Sequence, residues 1–98
     1  MGIAQKRKGY RGENELVKKL KEAGFDAKRI PLSGATDYKK GDVEIEEFTG
    51  EVKLRKDGFK KIYEWLGNND LLFIKADRKK YLVVMYLDRF IELLRRGK

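Results

Sequence analysis

Apolar residues along this chain recur first at a helical period and then at a strand period. Leu16, Val17, Leu20 and Ala23 repeat at steps of three and four, which predicts a helix beginning near Arg11 to Glu13, with one apolar stripe and Gly24 as its end. Glu13 precedes Leu16, Val17 and Leu20 by three, four and seven residues, so it lies on the same stripe and its carboxylate is expected to face a sheet. A carboxylate so placed requires a metal, a cation or a proton.

Residues 25–30 predict a short strand, because Pro31 restricts Ile30 to extended geometry, and residues 32–41 form a polar loop. Residues 42–48 then alternate acidic and apolar side chains, Thr49-Gly50 is a turn signal, and residues 51–54 alternate again. A hairpin is expected, with Glu51, Lys53 and Arg55 on one face and Val52 and Leu54 on the other. Ile62, Tyr63 and Leu66 mark a helix over 59–66, residues 71–75 and 81–87 are two strands around a charged turn, and 88–96 is a final helix with Asp88 as N-cap. The order is α-β-β-β-α-β-β-α. With no repeat, linker or low-complexity tract, it reads as a single domain over 1–98 with a basic N-terminal arm over 1–9.

Composition narrows the chemistry. The 24 Lys and Arg against 16 Asp and Glu give a formal charge of +8, which favours a polyanionic partner, most simply nucleic acid; a well-solvated surface is the plainer alternative. The sequence contains neither cysteine nor histidine, which excludes disulfides, thiolate zinc sites and imidazole-based catalysis, and leaves catalysis to carboxylates, lysine and metal. No apolar run approaches the roughly 20 residues of a membrane span and no signal-peptide core is present, so a soluble cytoplasmic protein is expected, with no membrane partner.

Within those bounds Asp42, Glu51, Lys53 and Glu13 stand out. Cutting a phosphodiester builds negative charge on the phosphoryl group and the leaving oxygen, which a bound Mg²⁺ offsets while activating its water; Mn²⁺ is expected to substitute. Asp42 and Glu51, on neighbouring strands, are the expected direct metal ligands. Glu13 joins them directly or through water, and Lys53 orients or deprotonates the attacking water. The alternative is that these are ordinary hairpin charges, since an isolated Glu-x-Lys triplet is common.

Lys6-Arg7-Lys8-Gly9, Glu13, Gly24-Phe25, Arg29, Pro31, Ser33-Gly34, Asp42 and Glu51-Val52-Lys53 together resemble, in order and spacing from Lys6 to about Asp57, the archaeal-type Holliday junction resolvases of the PD-(D/E)XK nuclease superfamily. Beyond that stretch the helix, two strands and terminal helix resemble small resolvase-like proteins of bacterial and phage origin. The resemblance implies a restriction-endonuclease-like α/β fold with a mixed sheet flanked by helices. It also implies a homodimer and Mg²⁺-dependent paired nicks across a four-way DNA junction. It makes Glu13, Asp42 and Glu51 metal-site residues and Lys53 catalytic, sets Arg29 on the scissile phosphate, and puts Ser33 in a loop that completes the site. Two positions depart from the pattern: Asn14 stands where the family often has Arg, and Gly41 where many members have Pro.

Lys6, Arg7, Lys8 and Arg11 form the densest basic cluster, expected to clamp the DNA backbone, with Lys39 and Lys40 reaching a second phosphate and Lys56, Lys60 and Lys61 extending the surface. Tyr63, Trp65, Leu66, Phe90, Ile91 and Leu94 are expected mostly in the core, with Trp65 or the terminal helix as the dimer surface. Three functions remain open on the residues alone: a junction-cutting dimeric endonuclease, another nuclease of the same superfamily with a different DNA geometry, or a non-catalytic DNA-binding module.

Overall fold

The apolar stripe at the start of the chain folds as α1 (Gly2–Glu22), which starts well before Arg11, so the basic arm is a helical extension rather than a separate segment. The computed structural model describes residues 2–30 and 41–97, with side chains from residue 11 onward. Val17 and Leu20 are buried, and Gly12, Glu13, Leu16 and Ala23 are half-buried, as the helical spacing predicts. Gly24 ends the helix at a φ of +99°. The Gly24 N–H donates to the Lys21 carbonyl at 2.9 Å and the Phe25 N–H to the Leu20 carbonyl at 3.1 Å. This is the Schellman pattern, which satisfies carbonyls that the helix leaves open and pairs the buried Leu20 with the buried Phe25.

After that cap the chain runs antiparallel through β1 (Ala27–Arg29), β2 (Val43–Ile45) and β3 (Phe48–Gly50), with β2 in the centre. Ala27, Val43 and Ile45 bury their side chains with Val17, Leu20 and Phe25, and α1 contacts both β1 and β2. Arg29 lies opposite Val43 and Lys28 opposite Glu44, where the two charged side chains form an ion pair at 3.5 Å.

The hairpin turn differs from the sequence expectation. It falls at Glu46-Glu47, while Thr49 and Gly50 are inside β3, opposite Glu44 and Val43. Glu46 takes a φ of 56°, which is costly for a residue with a Cβ, but two bonds to one neighbour offset the cost. Its N–H donates to the Asp26 carbonyl at 2.7 Å, and its carboxylate accepts from the Asp26 N–H at 2.7 Å. The chain over 51–55 is therefore not a paired strand of this hairpin but an irregular segment that follows β3.

The start of β2 carries a bulge. Val43 is the ladder partner of Gly50, and yet the Asp42 N–H also donates to the Gly50 carbonyl at 2.8 Å, so two residues oppose one. Gly41, just before it, has a φ of +105°, and a Cβ there would lie 2.8 Å from the Gly50 carbonyl oxygen. Proline fixes φ near −65°, so the backbone that precedes Asp42 is one that a proline cannot adopt.

The chain divides into two compact units, Met1–Leu54 and Arg55–Lys98. The second contains α2 (Lys60–Leu66), the antiparallel pair β4 (Leu72–Ile74) and β5 (Leu82–Val84), and α3 (Leu87–Arg96). The element order is thus the expected α-β-β-β-α-β-β-α, and the described strand pairings are antiparallel within two sheets. Asp88 is not the N-cap of α3: Tyr86 holds that position without a side-chain cap, and Asp88 sits in the first turn, where a negative charge suits the helix dipole. The Tyr86 hydroxyl donates to the Gly67 carbonyl at 3.0 Å, which joins the start of α3 to the end of α2. Arg89 spans Asp70 and Glu92 at 2.6 and 2.8 Å. Leu66 is buried, whereas Tyr63 and Trp65 are 62% and 57% exposed, so those two aromatics do not join the core as expected. Phe90, Ile91 and Leu94 are half-buried.

These backbone demands predict an order of stabilities. Gly24→Ala meets no atom within 4 Å and is expected to lose only the left-handed backbone cost, about 1 kcal/mol. Gly41→Ala adds a collision with the Gly50 carbonyl and is expected to lower the urea midpoint further than Gly24→Ala does; equal midpoints would contradict the bulge.

Candidate active site

The helix stripe turns Glu13 toward β1, and its side chain is 14% exposed. Its Oε1 accepts from Arg29 Nε at 3.0 Å, so a cation answers the half-buried carboxylate. Arg29 reaches this position because β1 alternates: Lys28 turns outward to Glu44, and Arg29 shares its face with the buried Ala27.

The second pair of elements meets at the β2 bulge. Asp42 Oδ2 accepts the Val52 N–H at 2.8 Å, so a side chain replaces the backbone ladder partner once β3 has ended. The Asp42 carboxylate is thereby held against the chain between Glu51 and Lys53. Those two side chains project together as their alternation predicts, with Lys53 Nζ 3.2 Å from Glu51 Oε2. Both are more than half exposed, so the pair is open to solvent and to a substrate.

A further contact ties this segment to α1. Leu54 lies over Gly12, where a Cβ would come within 2.3 Å of Leu54 Cδ1. Gly12 immediately precedes Glu13, and Leu54 immediately follows Lys53. The sequence reading missed both residues, although a glycine one position ahead of a functional helix carboxylate is itself a sign of close approach.

Arg11 and Lys56 are exposed. Lys6, Arg7 and Lys8 fall on α1, but their side chains lie outside the described residues, as do Ser33, Lys39 and Lys40 altogether. Among the described residues no group of three or more carboxylates is close enough to hold a metal ion. Mg²⁺, however, is commonly held by one or two carboxylates, with waters and substrate phosphates completing its shell. Asp42 keeps acceptor positions for such an ion, because a carboxylate has about four of them and the Val52 N–H occupies one. No helix among the described residues is long and apolar enough to cross a membrane.

A family model described as archaeal Holliday junction resolvase (Hjc) matches residues 4–93. Comparisons with curated proteins and with solved structures gave no match. The matched stretch contains the Glu13–Arg29 pair, the Asp42 carboxylate and the Glu51–Lys53 pair in one alignment, and on that span the chain belongs to the archaeal Holliday junction resolvase family, nucleases that act on branched DNA in recombination and repair.

Proposed function

We propose that this protein resolves four-way DNA junctions by paired, Mg²⁺-dependent nicks, with Asp42, Glu51 and Lys53 at the site of cleavage. The observation that carries this reading is the Asp42 carboxylate bonded to the Val52 N–H, because it holds one hard ligand beside a second, Glu51, and beside an ammonium. Asp42 and Glu51 would hold Mg²⁺ or Mn²⁺. When bound, the ion supplies charge stabilisation for the phosphoryl group and the leaving oxygen, and it acidifies water.

The chain's own groups do the rest. Lys53 is paired to Glu51 and exposed, so its ammonium can orient the attacking water and offset charge on the phosphate. Arg29, more than a third exposed and oriented by Glu13, is suited to bind the scissile phosphate. Glu13 acts in this reading through Arg29. Arg11 and Lys56, with Lys6, Arg7, Lys8, Lys39, Lys40 and Ser33 from the sequence reading, serve the DNA backbone and the closing loop.

Two symmetric nicks require two sites, which a C2 homodimer presents to opposite strands. Exposed Trp65, together with α3, which buries none of its side chains, supports a partner surface in the second unit.

The test incubates wild type and Asp42→Ala with a labelled four-way junction, a flap and a linear duplex, each with Mg²⁺ or EDTA. Symmetric nicks confined to the junction and dependent on Mg²⁺ are expected, with a rate loss of roughly 10²-fold or more in Asp42→Ala while binding persists. Preferred cutting of the flap or duplex would move the protein to another nuclease geometry, and binding without cutting under any metal would leave a DNA-binding module. The basic residues give a separate prediction: Arg11→Ala and Lys56→Ala are each expected to weaken junction binding and to reduce its log–log salt slope by about 1, as read by titration at several salt concentrations.

A further inference from the structure

Gly12 lies in the middle of α1, ten residues after the helix begins and ten before it ends, where glycine is the least suitable non-proline residue. It needs no unusual φ there, so its backbone freedom does not explain it. Space does. A Cβ at Gly12 would lie 2.3, 3.1 and 3.5 Å from Cδ1, Cγ and Cδ2 of Leu54, so one side of that side chain packs on the bare helix backbone while the residue stays 40% exposed. Turning the end of the side chain relieves the contact at Cδ1 but not the one at Cγ, which yields only if Leu54 turns about its Cα–Cβ bond or moves away from the helix.

The two residues are sequence neighbours of the chemistry on both sides. Gly12 adjoins Glu13, which holds Arg29, and Leu54 adjoins Lys53, which pairs with Glu51. Among the described residues the segment over 51–55 lies outside the strand ladders, and it meets the sheet through the Val52 N–H on Asp42 and the helix through the Leu54 side chain on Gly12.

We propose that Leu54, seated on the helix backbone at Gly12, is a positioning residue that sets the distance between the Glu51–Lys53 segment and the Glu13–Arg29 pair. The proposal rests on the nuclease reading above. Leu54 touches no reacting atom; it acts by holding Lys53 and Glu51 at the height that the bare Gly12 backbone allows. Displacing catalytic groups by about 1 Å costs on the order of 10²-fold in rate, which sets the size of effect expected.

The test compares wild type, Gly12→Ala, Leu54→Ala and the double variant as full chains. Single-turnover junction cleavage, junction affinity and thermal unfolding are measured for each. Gly12→Ala is expected to slow cleavage about tenfold to a hundredfold with junction affinity within about twofold of wild type. It should also fail to raise the melting temperature, as alanine normally does in a helix interior. Adding Leu54→Ala to Gly12→Ala makes room for the new methyl group and should recover part of the lost rate, so that the double variant cuts faster than the product of the single losses. A Gly12→Ala protein that melts higher and cuts as fast as wild type would overturn the proposal while leaving the nuclease reading standing. A wild type that binds but never cuts would sink the nuclease reading and the positioning role together, and the melting cycle would then report the contact as structural alone.

Discussion

One bond, from the Val52 N–H to the Asp42 carboxylate, governs what lies around the proposed site. The ladder between β2 and β3 ends at Val43 and Gly50, and the described backbone that follows is not part of a strand. A short acidic side chain at the bulged start of β2 takes over, with its N–H on Gly50 and its carboxylate on Val52. Bulges re-aim side chains, and Asp42 at this one reaches the Val52 N–H, between Glu51 and Lys53. The positive φ of Gly41 and the close approach of that glycine to the Gly50 carbonyl belong to the same arrangement.

The opposite side of the site is built on burial instead. The stripe of α1 puts Glu13 next to Leu16 and Val17, where a carboxylate without a partner would be costly, and β1 supplies Arg29. A part-buried pair of this kind orients its members more firmly than an exposed pair such as Glu51–Lys53. Leu54 on Gly12 joins the two sides inside the first compact unit.

The helical features were legible in the sequence because they depend on local rules: the period of Leu16, Val17 and Leu20, the facing of Glu13, and the cap at Gly24. The element order was legible for the same reason. The hairpin was misplaced because Thr49-Gly50 carries the usual turn signal, while the actual turn at Glu46-Glu47 is held by Asp26, twenty residues from Glu46 and invisible to local pattern. Asp88 was read as a cap from its residue type, but the cap position went to Tyr86, whose hydroxyl has a partner on Gly67. The exposure of Tyr63 and Trp65 was not legible because helical spacing tells which residues share a face and says nothing of what covers it. Asp42, Glu51 and Lys53 stand out as candidates by type and spacing, but the bond that places Asp42 depends on a bulge, which leaves no regular trace in a sequence.

The most direct measurement is a Mn²⁺ titration of the ¹⁵N-labelled protein followed by paramagnetic line broadening. If Asp42 and Glu51 form the metal site, the amides of Asp42, Glu51, Val52 and Lys53 broaden first, at the lowest metal concentrations. If those amides stay sharp while the amides around Asp70, Asp88 and Glu92 broaden, the metal has chosen a different set of carboxylates, and the assignment of the site at the β2 bulge is wrong.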